Sequence, residues 1–381
     1  MRIYADNAAT TRMSRTAIDA MLPYMETIYG NPSSLHDVGQ EAEEALAAAR
    51  AQVADCLGCQ PDEVIFTSGG SEADNQAILS AAMMGQREGK KHLISTTFEH
   101  PAVLNTLKKL EKQGFEVQLL DVGPLGTITP EQVAQAIRPD TALVTTMYAN
   151  NEIGSILPIA EIGRVCHEKG VLFHTDAVQA VGHVYIDVVE QNIDMLSLSA
   201  HKFHGPKGIG VLFARRGLEL VNLIEGGSQE GGRRAGTENL PSIMGMSAAL
   251  KESCDNLDKT IPQVSAMRDE LIAGLKQIPG AILNGDPVNR LPGNVNFCFE
   301  GVNGQSLLLA LNEVGICVSS GAACHCADAA PSHVMTAIGR PRELANSSLR
   351  LSVCEHNNTA EISTILQQVP LAVERLRNES K

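Results

Sequence analysis

The sequence has no excess of basic residues. Its 381 residues include 30 Lys or Arg and 44 Asp or Glu, which gives a net charge of −14 at pH 7. Because nucleic-acid binding needs a basic surface, we expect no nucleic-acid partner. No stretch contains about 18 consecutive uncharged apolar residues, so we expect no membrane span. The segment from Met1 to Thr10 lacks the pattern of a secretory signal, and we therefore expect a cytoplasmic protein.

The sequence also lacks the composition of a small disulfide-stabilised domain. It contains 9 cysteines, an odd number, in a chain much longer than the secreted domains that depend on disulfides. We therefore expect free thiols, at least one of them chemically active. At roughly 150 residues per domain, the length corresponds to two or three domains that can bury their own cores.

Short apolar runs alternate with helical patterns in the first part of the chain. The runs are rich in Val, Ile and Leu and are bounded by Gly, Pro, Asp or Asn, which is typical of strands. Because helices separate most of them, we predict an α/β fold with a mainly parallel sheet covered on both faces. The seven predicted strands are residues 64–67, 92–95, 116–120, 142–146, 171–174, 195–199 and 210–214.

The pattern changes after about residue 250. A long helical segment is followed by short strands and helices, which predicts a smaller α+β domain with an antiparallel sheet. We place a large domain at residues 1–255 and a small domain at 256–381, with roughly the first 15 residues able to pack on the small domain. The predicted elements of the small domain are helices 258–277, 305–313 and 359–375 and strands 294–299, 316–319 and 348–352.

A glycine-rich turn follows the first predicted strand of the sheet. Ser68-Gly69-Gly70-Ser71-Glu72 would open a helix, and glycines there let backbone N–H groups approach a phosphate. Taken alone, these residues favour a plain turn with Ser71 as the N-cap. The spacing is neither that of a Walker loop nor that of a dinucleotide fingerprint.

Asp176 and Lys202 follow two successive predicted strands. The 26 residues between their positions allow one crossover connection, so both would lie at the carboxyl edge of a parallel sheet. A carboxylate and a lysine near a phosphate-binding turn suit pyridoxal phosphate (PLP), because lysine forms the Schiff base and the acid pairs with the ring nitrogen. A simple Asp–Lys ion pair is the alternative. The neighbouring phosphate turn and Gly205-Pro206-Lys207-Gly208 favour the cofactor.

Other polar residues occupy positions that fit either a site or an ordinary structural role. His100 and the segment 150–154 follow predicted strands, where α/β sheets place ligands. Thr237 lies in a glycine-rich basic segment that fits a phosphate contact or a simple loop. Arg350, on the predicted strand 348–352, fits a clamp for a substrate carboxylate or a surface ion pair.

The segment Cys324-His325-Cys326 has the most reactive composition in the chain. A neighbouring imidazolium can lower the pKa of a thiol and raise its thiolate fraction. The alternatives are an inert cysteine and a metal site, with Cys354 and His356 as further ligands. Three adjacent residues do not have the usual spacing of zinc ligands.

From Ala8 onward the sequence resembles the cysteine desulfurases of the NifS/IscS type. These belong to the class-V aminotransferases and are PLP enzymes of fold type I, with the aspartate-aminotransferase-like fold. The resemblance covers nearly the whole chain, and its motifs follow the order of the family. They are Gly30-Asn31-Pro32-Ser33-Ser34, Ser68-Gly69-Gly70-Ser71-Glu72, Glu99-His100, Asn150-Asn151-Glu152-Ile153-Gly154, Asp176-Ala177-Val178-Gln179, His201-Lys202, Arg234-Ala235-Gly236-Thr237 and Ser319-Ser320-Gly321-Ala322-Ala323-Cys324.

The resemblance implies a role for each matching residue, PLP as the cofactor and no bound metal. The implied catalytic residues are Lys202 as Schiff-base lysine and proton acceptor, Cys324 as nucleophile, and His100 as a ring-stacking acid or base. Asp176 would pair with the ring nitrogen, and Arg350 would bind the substrate carboxylate. The remaining implied cofactor contacts are Asn151 and Gln179 at the ring oxygen or substrate, Gly70, Ser71, Ser199 and His201 at the phosphate, and Thr237 at the phosphate of the other subunit in a homodimer.

The implied reaction converts L-cysteine to L-alanine and leaves a persulfide on Cys324. An acceptor protein then takes the sulfur, for an iron–sulfur scaffold, for tRNA thiolation or for selenium supply. The segment 320–325 is instead similar to animal-type selenocysteine lyases, which makes L-selenocysteine an alternative substrate. Pro101 after His100 favours the desulfurase.

The sequence departs from the family pattern at three places. Ala200 stands where the family usually has Gly. Val353-Cys354-Glu355-His356 stands where a small residue, Gly and Arg are usual. His325-Cys326 stands where the family has residues of the Thr or Ser type, and the resemblance assigns no role to Cys326.

Overall fold

Strands and helices alternate along the chain in the computed structural model, which describes residues 2–320 and 331–379. The strands are β1 (Ile3–Tyr4), β2 (Val64–Thr67), β3 (His92–Thr96), β4 (Glu116–Leu120), β5 (Thr141–Met147), β6 (Leu172–Asp176), β7 (Met195–Ser199), β8 (Gly210–Ala214), β9 (Ala281–Leu283), β10 (Asn294–Phe299), β11 (Ile316–Cys317) and β12 (Ser348–Ser352). The helices are α1 (Arg15–Glu26), α2 (Asp37–Leu57), α3 (Gly70–Arg87), α4 (Pro101–Glu111), α5 (Pro130–Ala136), α6 (Ile159–Glu168), α7 (Leu240–Asp255), α8 (Leu257–Leu275), α9 (Gly304–Glu313), α10 (His333–Ala337), α11 (Arg342–Ala345) and α12 (Thr359–Glu379).

In the described part of the chain, a 7-stranded sheet has the order β2-β8-β7-β6-β5-β3-β4. Its strands β3 to β7 pair in parallel, while β8 runs antiparallel to both of its neighbours. The connection from Ser199 to Gly210 is too short for a crossover helix, which explains the reversal at β8. The predicted α/β fold with a mainly parallel sheet is therefore confirmed.

Apolar side chains cover both faces of this sheet. One cluster includes Val53 of α2 and Leu250 of α7, and the other includes Ile78 of α3 and Leu107 of α4. Because both faces are covered, the strands β5, β7 and β8 are buried along their whole length.

A third apolar cluster lies around α8, α9, α12 and the antiparallel sheet β12-β10-β9. The strand β1 pairs in parallel with β11, so the start of the chain packs on this cluster through Ile3. The division of the chain at residue 255 stays a prediction. Within the described ranges, no helix has the length and apolarity needed to cross a membrane.

Three neighbouring parallel strands bring polar residues to one edge of the large sheet. The strands β5, β6 and β7 end at Met147, Asp176 and Ser199. The register pairs Met147 with Asp176 and Asp176 with Ser197, so the loops after these strands begin side by side. A parallel sheet collects the carboxyl ends of its strands at this edge, where α/β proteins place ligands.

Candidate active site

A cavity of about 530 Å³ lies at the carboxyl edge of the large sheet. The N-terminus of α3 and the loops after β3, β5, β6 and β7 form its walls. The fold thus brings together the predicted cofactor contacts that these elements carry, namely Gly70, Ser71, His100, Asn151, Asp176, Gln179, Ser199, His201 and Lys202.

One wall of the cavity is the N-terminus of α3. Gly69, the N-cap, has a φ of 150°, which favours glycine. A Cβ added to Gly70 would lie 2.5 Å from Cγ2 of Val178, so only glycine allows this close approach. The unpaired N–H groups of the first helical turn and the hydroxyls of Ser71 and Ser199 make a suitable anion site.

Lys202 lies in the same cavity, just after β7. Its Nζ donates hydrogen bonds to the carbonyl oxygens of Ala8, at 2.7 Å, and Ala9, at 2.9 Å. Burial and then the charge of Arg350 lower the pKa of Lys202 to about 8, although Asp176 opposes this. A considerable fraction of the amine is therefore neutral near physiological pH, as a nucleophilic lysine requires.

Asp176 ends β6 on the floor of the cavity and is buried. Its Oδ1 accepts a hydrogen bond from the Val178 N–H at 3.0 Å. Burial raises the pKa of Asp176, while the charges of His100 and Lys202 lower it. Burial and then the charge of Asp176 raise the pKa of Asp74, on α3, well above its ordinary value. The site thus holds two buried carboxyl groups that a nearby cation would stabilise.

His100 caps the N-terminus of α4. Its Nδ1 accepts the Ala102 N–H at 3.2 Å, so the neutral ring carries its proton on Nε2. One ring nitrogen lies within 4.8 Å of carboxylate oxygens of Asp74 and Asp176. The surrounding protein lowers the pKa of His100 by burial, although the side chain is exposed to the cavity solvent. A neutral ring can exchange protons there.

Arg350 on β12 lies beside the cavity without lining it. Its Nη1 donates to the carbonyl oxygen of Asn151 at 3.0 Å, and its Nη2 donates to Oδ1 of Asp6 at 2.8 Å. Its Nε has no hydrogen-bond partner among residues 2–320 and 331–379. The buried guanidinium can therefore accept a further anionic partner.

Comparison with known proteins places this arrangement in a family. The family described as "Aminotransferase class-V" matches residues 3–365. The chain belongs to the class-V aminotransferases. It is 48% identical to "Cysteine desulfurase IscS" of Methanosarcina thermophila over 378 residues, which cover 99% of this chain and 93% of that protein. Class-V aminotransferases and cysteine desulfurases are PLP-dependent enzymes.

Solved structures of similar proteins agree with this family assignment. A protein described as "NIFS-LIKE PROTEIN" superposes with a TM-score of 0.92 at 34% identity, covering 98% of this chain and 100% of that chain. "SspA in complex with cysteine" superposes with a TM-score of 0.82 at 38% identity, covering 93% of this chain and 99% of that chain. The predicted resemblance to the NifS/IscS type is confirmed.

The structure does not place the remaining predicted residues of this class-V aminotransferase in the cavity. Thr237 is exposed and does not line it, although Arg234 of the same segment pairs with Glu72 at 3.0 Å. Cys324, His325 and Cys326 lie outside the described residues, so both the proposed nucleophile and the alternative metal site stay predictions.

The described residues on either side of 321–330 contact residues that lie beside the cavity. Ser319 and Arg350 exchange backbone hydrogen bonds of 3.1 and 2.7 Å. Ser332 Oγ donates to Glu152 Oε2 at 2.6 Å, and His333 Nε2 donates to the Glu99 carbonyl at 2.8 Å. Both flanks are therefore held beside the loops that carry Asn151 and His100.

The sequence analysis of this class-V aminotransferase missed the role of the segment 8–11. Its carbonyls hold Lys202, the Ala8 carbonyl also accepts from Gln179 Nε2 at 2.9 Å, and Thr10 Oγ1 lies 3.1 Å from His201 Nδ1. Asp74 was missed as well. Its signal was an acidic residue on an apolar helical face, four residues after Gly70.

Proposed function

We propose that this class-V aminotransferase is a PLP-dependent cysteine desulfurase. It would convert L-cysteine to L-alanine and transfer the sulfur to Cys324 as a persulfide. One observation carries the proposal. Lys202, with a pKa lowered to about 8, shares a cavity with the buried Asp176 and the N-terminus of α3. Relatives named cysteine desulfurase and a similar structure in complex with cysteine support the choice of substrate.

The residues of the cavity fit PLP. The pyridine nitrogen of PLP, when protonated, is a cation that the buried carboxyl groups of Asp176 and Asp74 would stabilise. The α3 N-terminus, Ser71, Ser199 and His201 would hold the phosphate. When bound, PLP draws electrons from the α-carbon of an amino acid and so makes its proton acidic.

Lys202 would then act as the proton acceptor. The carbonyls of Ala8 and Ala9 hold the Nζ at 2.7 and 2.9 Å, which fixes the position of the amine. Its lowered pKa brings the amine into the range that suits a general base near neutral pH. Arg350 would bind the substrate carboxylate by exchanging its contact with Asp6.

Cys324 would receive the sulfur. Its thiolate attacks the sulfur of the bound cysteine, the carbon–sulfur bond breaks, and the electrons of that bond return to the carbon that becomes the methyl group of alanine. Cysteine and one thiol thus give alanine and one persulfide, so the step needs no external oxidant. The motif 319–324 supports this assignment, together with the contacts that Ser319 and Ser332 make beside the cavity.

We also propose a homodimer in which Thr237 completes the phosphate site of the other subunit. Its exposure supports this, since a residue that serves another subunit must lie at the surface of its own. Thr237→Ala should lose affinity for PLP, and Thr16→Ala is the control for an exposed threonine. This comparison checks the shared site.

We propose further that an acceptor protein takes the sulfur from Cys324.

Product analysis with two substrates tests the proposed function. The purified protein should release alanine from L-cysteine, without a keto acid, and Cys324→Ala should abolish this. Alanine release from L-selenocysteine alone would favour a selenocysteine lyase, for which the segment 320–325 is the supporting observation.

The visible absorbance of lysine-bound PLP should vanish in Lys202→Ala. This absorbance would argue against a non-catalytic metal-binding protein that uses Cys324, His325 and Cys326, which metal analysis of the purified protein tests directly.

A further inference from the structure

Three potential metal ligands that the proposed reaction does not use lie close together. A ring nitrogen of His204, the sulfur of Cys354 and a carboxylate oxygen of Glu355 are within 4.8 Å of one another. They line a second cavity, of about 920 Å³, beside the start of the chain. His204 and Cys354 are buried, and the side chain of Glu355 is 29% exposed. The cluster therefore lies at the wall of the cavity and reaches solvent through the side chain of Glu355.

One ring nitrogen of His204 faces Glu355 and makes no hydrogen bond within the part of the chain that the structure describes. The Nδ1 lies 2.9 Å from the Arg12 carbonyl oxygen, and because a carbonyl only accepts, Nδ1 carries the proton. The Nε2 of a neutral ring then has a lone pair, 3.3 Å from Oε1 of Glu355. This Nε2 has no hydrogen-bond partner in the described ranges, although the side chain is only 5% exposed. Two electron-rich atoms that face each other need a cation between them.

The sulfur of Cys354 decides whether the cation between His204 and Glu355 is a metal ion or a proton. A proton between His204 and Glu355 would make an ion pair that does not involve the Cys354 sulfur, whereas a zinc-like cation binds sulfur, nitrogen and oxygen together. The contact of Nδ1 with a backbone carbonyl is the usual support of a metal-binding histidine. His356, with its ring centroid 5.0 Å from that of His204, or a water can complete the coordination.

We propose that His204, Cys354 and Glu355 form a binding site for a divalent transition-metal cation of the Zn²⁺ type. Ligands of tetrahedral zinc lie roughly 3.3–3.8 Å apart, so the three side chains must approach one another by up to about 1.5 Å. Binding forms the metal–sulfur bond and releases the thiol proton of Cys354 to solvent.

The site would join parts of the chain that position Lys202. His204 follows Lys202 by two residues, and its partner Arg12 belongs to the segment whose carbonyls at Ala8 and Ala9 hold the Nζ of Lys202. Cys354 and Glu355 follow β12, which carries Arg350. Bound metal would therefore fix the two sides of the active site relative to each other. This is independent of which amino acid the enzyme uses.

Zinc binding by the PLP-loaded protein tests the site. Cys324→Ala and Cys326→Ala together form the parent, which removes the thiols of the segment 321–330. After equilibration with Zn²⁺ and dialysis, elemental analysis should find one zinc per chain. Competition with a chromophoric chelator should show at least about tenfold weaker binding in Glu355→Gln and in Cys354→Ser. Glu252→Gln, which alters a carboxylate lining the same cavity, should bind like the parent.

Cobalt provides a second readout. The parent loaded with Co²⁺ should show the visible bands of a tetrahedral site with a sulfur ligand, and these should disappear in Cys354→Ser. Zinc binding that is equal in the parent, Glu355→Gln and Cys354→Ser, or absent from all of them, overturns the proposal and leaves a protonated His204–Glu355 pair. If Cys354→Ser does not fold, the isosteric Glu355→Gln decides alone.

Discussion

The surroundings of Lys202 lower the pKa of its amine. Burial contributes most, and Arg350 is the charged residue that contributes most after it. Both residues approach the segment 6–9, since Asp6 holds Arg350 and Ala8 and Ala9 hold Lys202. A short stretch of backbone at the start of the chain therefore sets the distance between the amine and the guanidinium. The lowered pKa of Lys202, and with it the reactivity of the amine, follows from burial and from the charge of Arg350.

The pH dependence of PLP uptake reports the pKa of Lys202. Only the neutral amine attacks PLP, so the uptake rate should rise with pH and reach half of its maximum at about pH 8. Arg350→Gln removes a positive charge that lowers this pKa, so the pKa rises and the profile moves to higher pH. Arg350→Lys keeps the charge and should keep the profile. Stopped-flow absorbance measures all three proteins, and identical profiles would refute the role of Arg350.

Glu152 gives a prediction for stability. Burial raises its pKa from 4.5 to about 7, while the Ser332 hydrogen bond and Arg350 lower it. The folded carboxyl therefore keeps a proton that the unfolded chain has lost, so stability is present at low pH and falls between about pH 4.5 and about pH 7. Relative to wild type, Glu152→Gln should gain up to about 3 kcal/mol across this window.

Urea unfolding of both proteins as a function of pH measures this difference. Glu225→Gln, at an exposed glutamate, serves as the control and should show a constant difference from wild type. A constant difference for Glu152→Gln as well would mean that the buried carboxyl does not titrate in this window.

Among the elements, α3 matters most for the proposed phosphate site, because its N-terminus must approach the loop after β6 closely. Gly70 lies against Val178, and Glu72 is held by the Ser68 N–H at 2.7 Å and by Arg234 at 3.0 Å. The acidic residue in the first turn is therefore paired, which leaves the helix end available to an anion.

Gly70→Ala tests this close approach. The new Cβ would lie 2.5 Å from Cγ2 of Val178, so the helix end must shift. We expect roughly tenfold weaker PLP binding, the equivalent of about 1.4 kcal/mol. Val178→Ala removes the clashing atom, so the double variant should regain most of the affinity, with Val178→Ala alone as the control. PLP titration by absorbance is the measurement, and unchanged affinity in Gly70→Ala would contradict this account.

The sequence predicts several strands with their observed bounds, but it misses the helices α1 and α7 and the shortest strands. Strands 64–67 and 195–199 have their predicted bounds, because their apolar residues and flanking turns mark both ends. The strand predicted at 171–174 extends to Asp176, since buried polar residues continue it. β1 and β9 were not predicted, because strands of 2 and 3 residues depend on distant partners such as Ile316 and Phe297.

At the scale of the whole molecule, the sequence predicted which side chains meet at the sheet edge but not what holds them. Topology alone places Asp176 near Lys202, since both follow neighbouring parallel strands. The carbonyls of Ala8 and Ala9 could not be predicted, because every residue has a carbonyl and the contact spans more than half of the chain. The same holds for His204 and Glu355, which meet from distant parts of the sequence.

The central claim is that sulfur from L-cysteine passes to Cys324. A single turnover followed by alkylation and peptide mass spectrometry locates the sulfur directly. We predict one added sulfur on the peptide at Cys324, one alanine released per sulfur, and the same result in Cys326→Ser. Alanine release at the wild-type rate from Cys324→Ala, or added sulfur on another cysteine while Cys324 stays unmodified, would contradict the account.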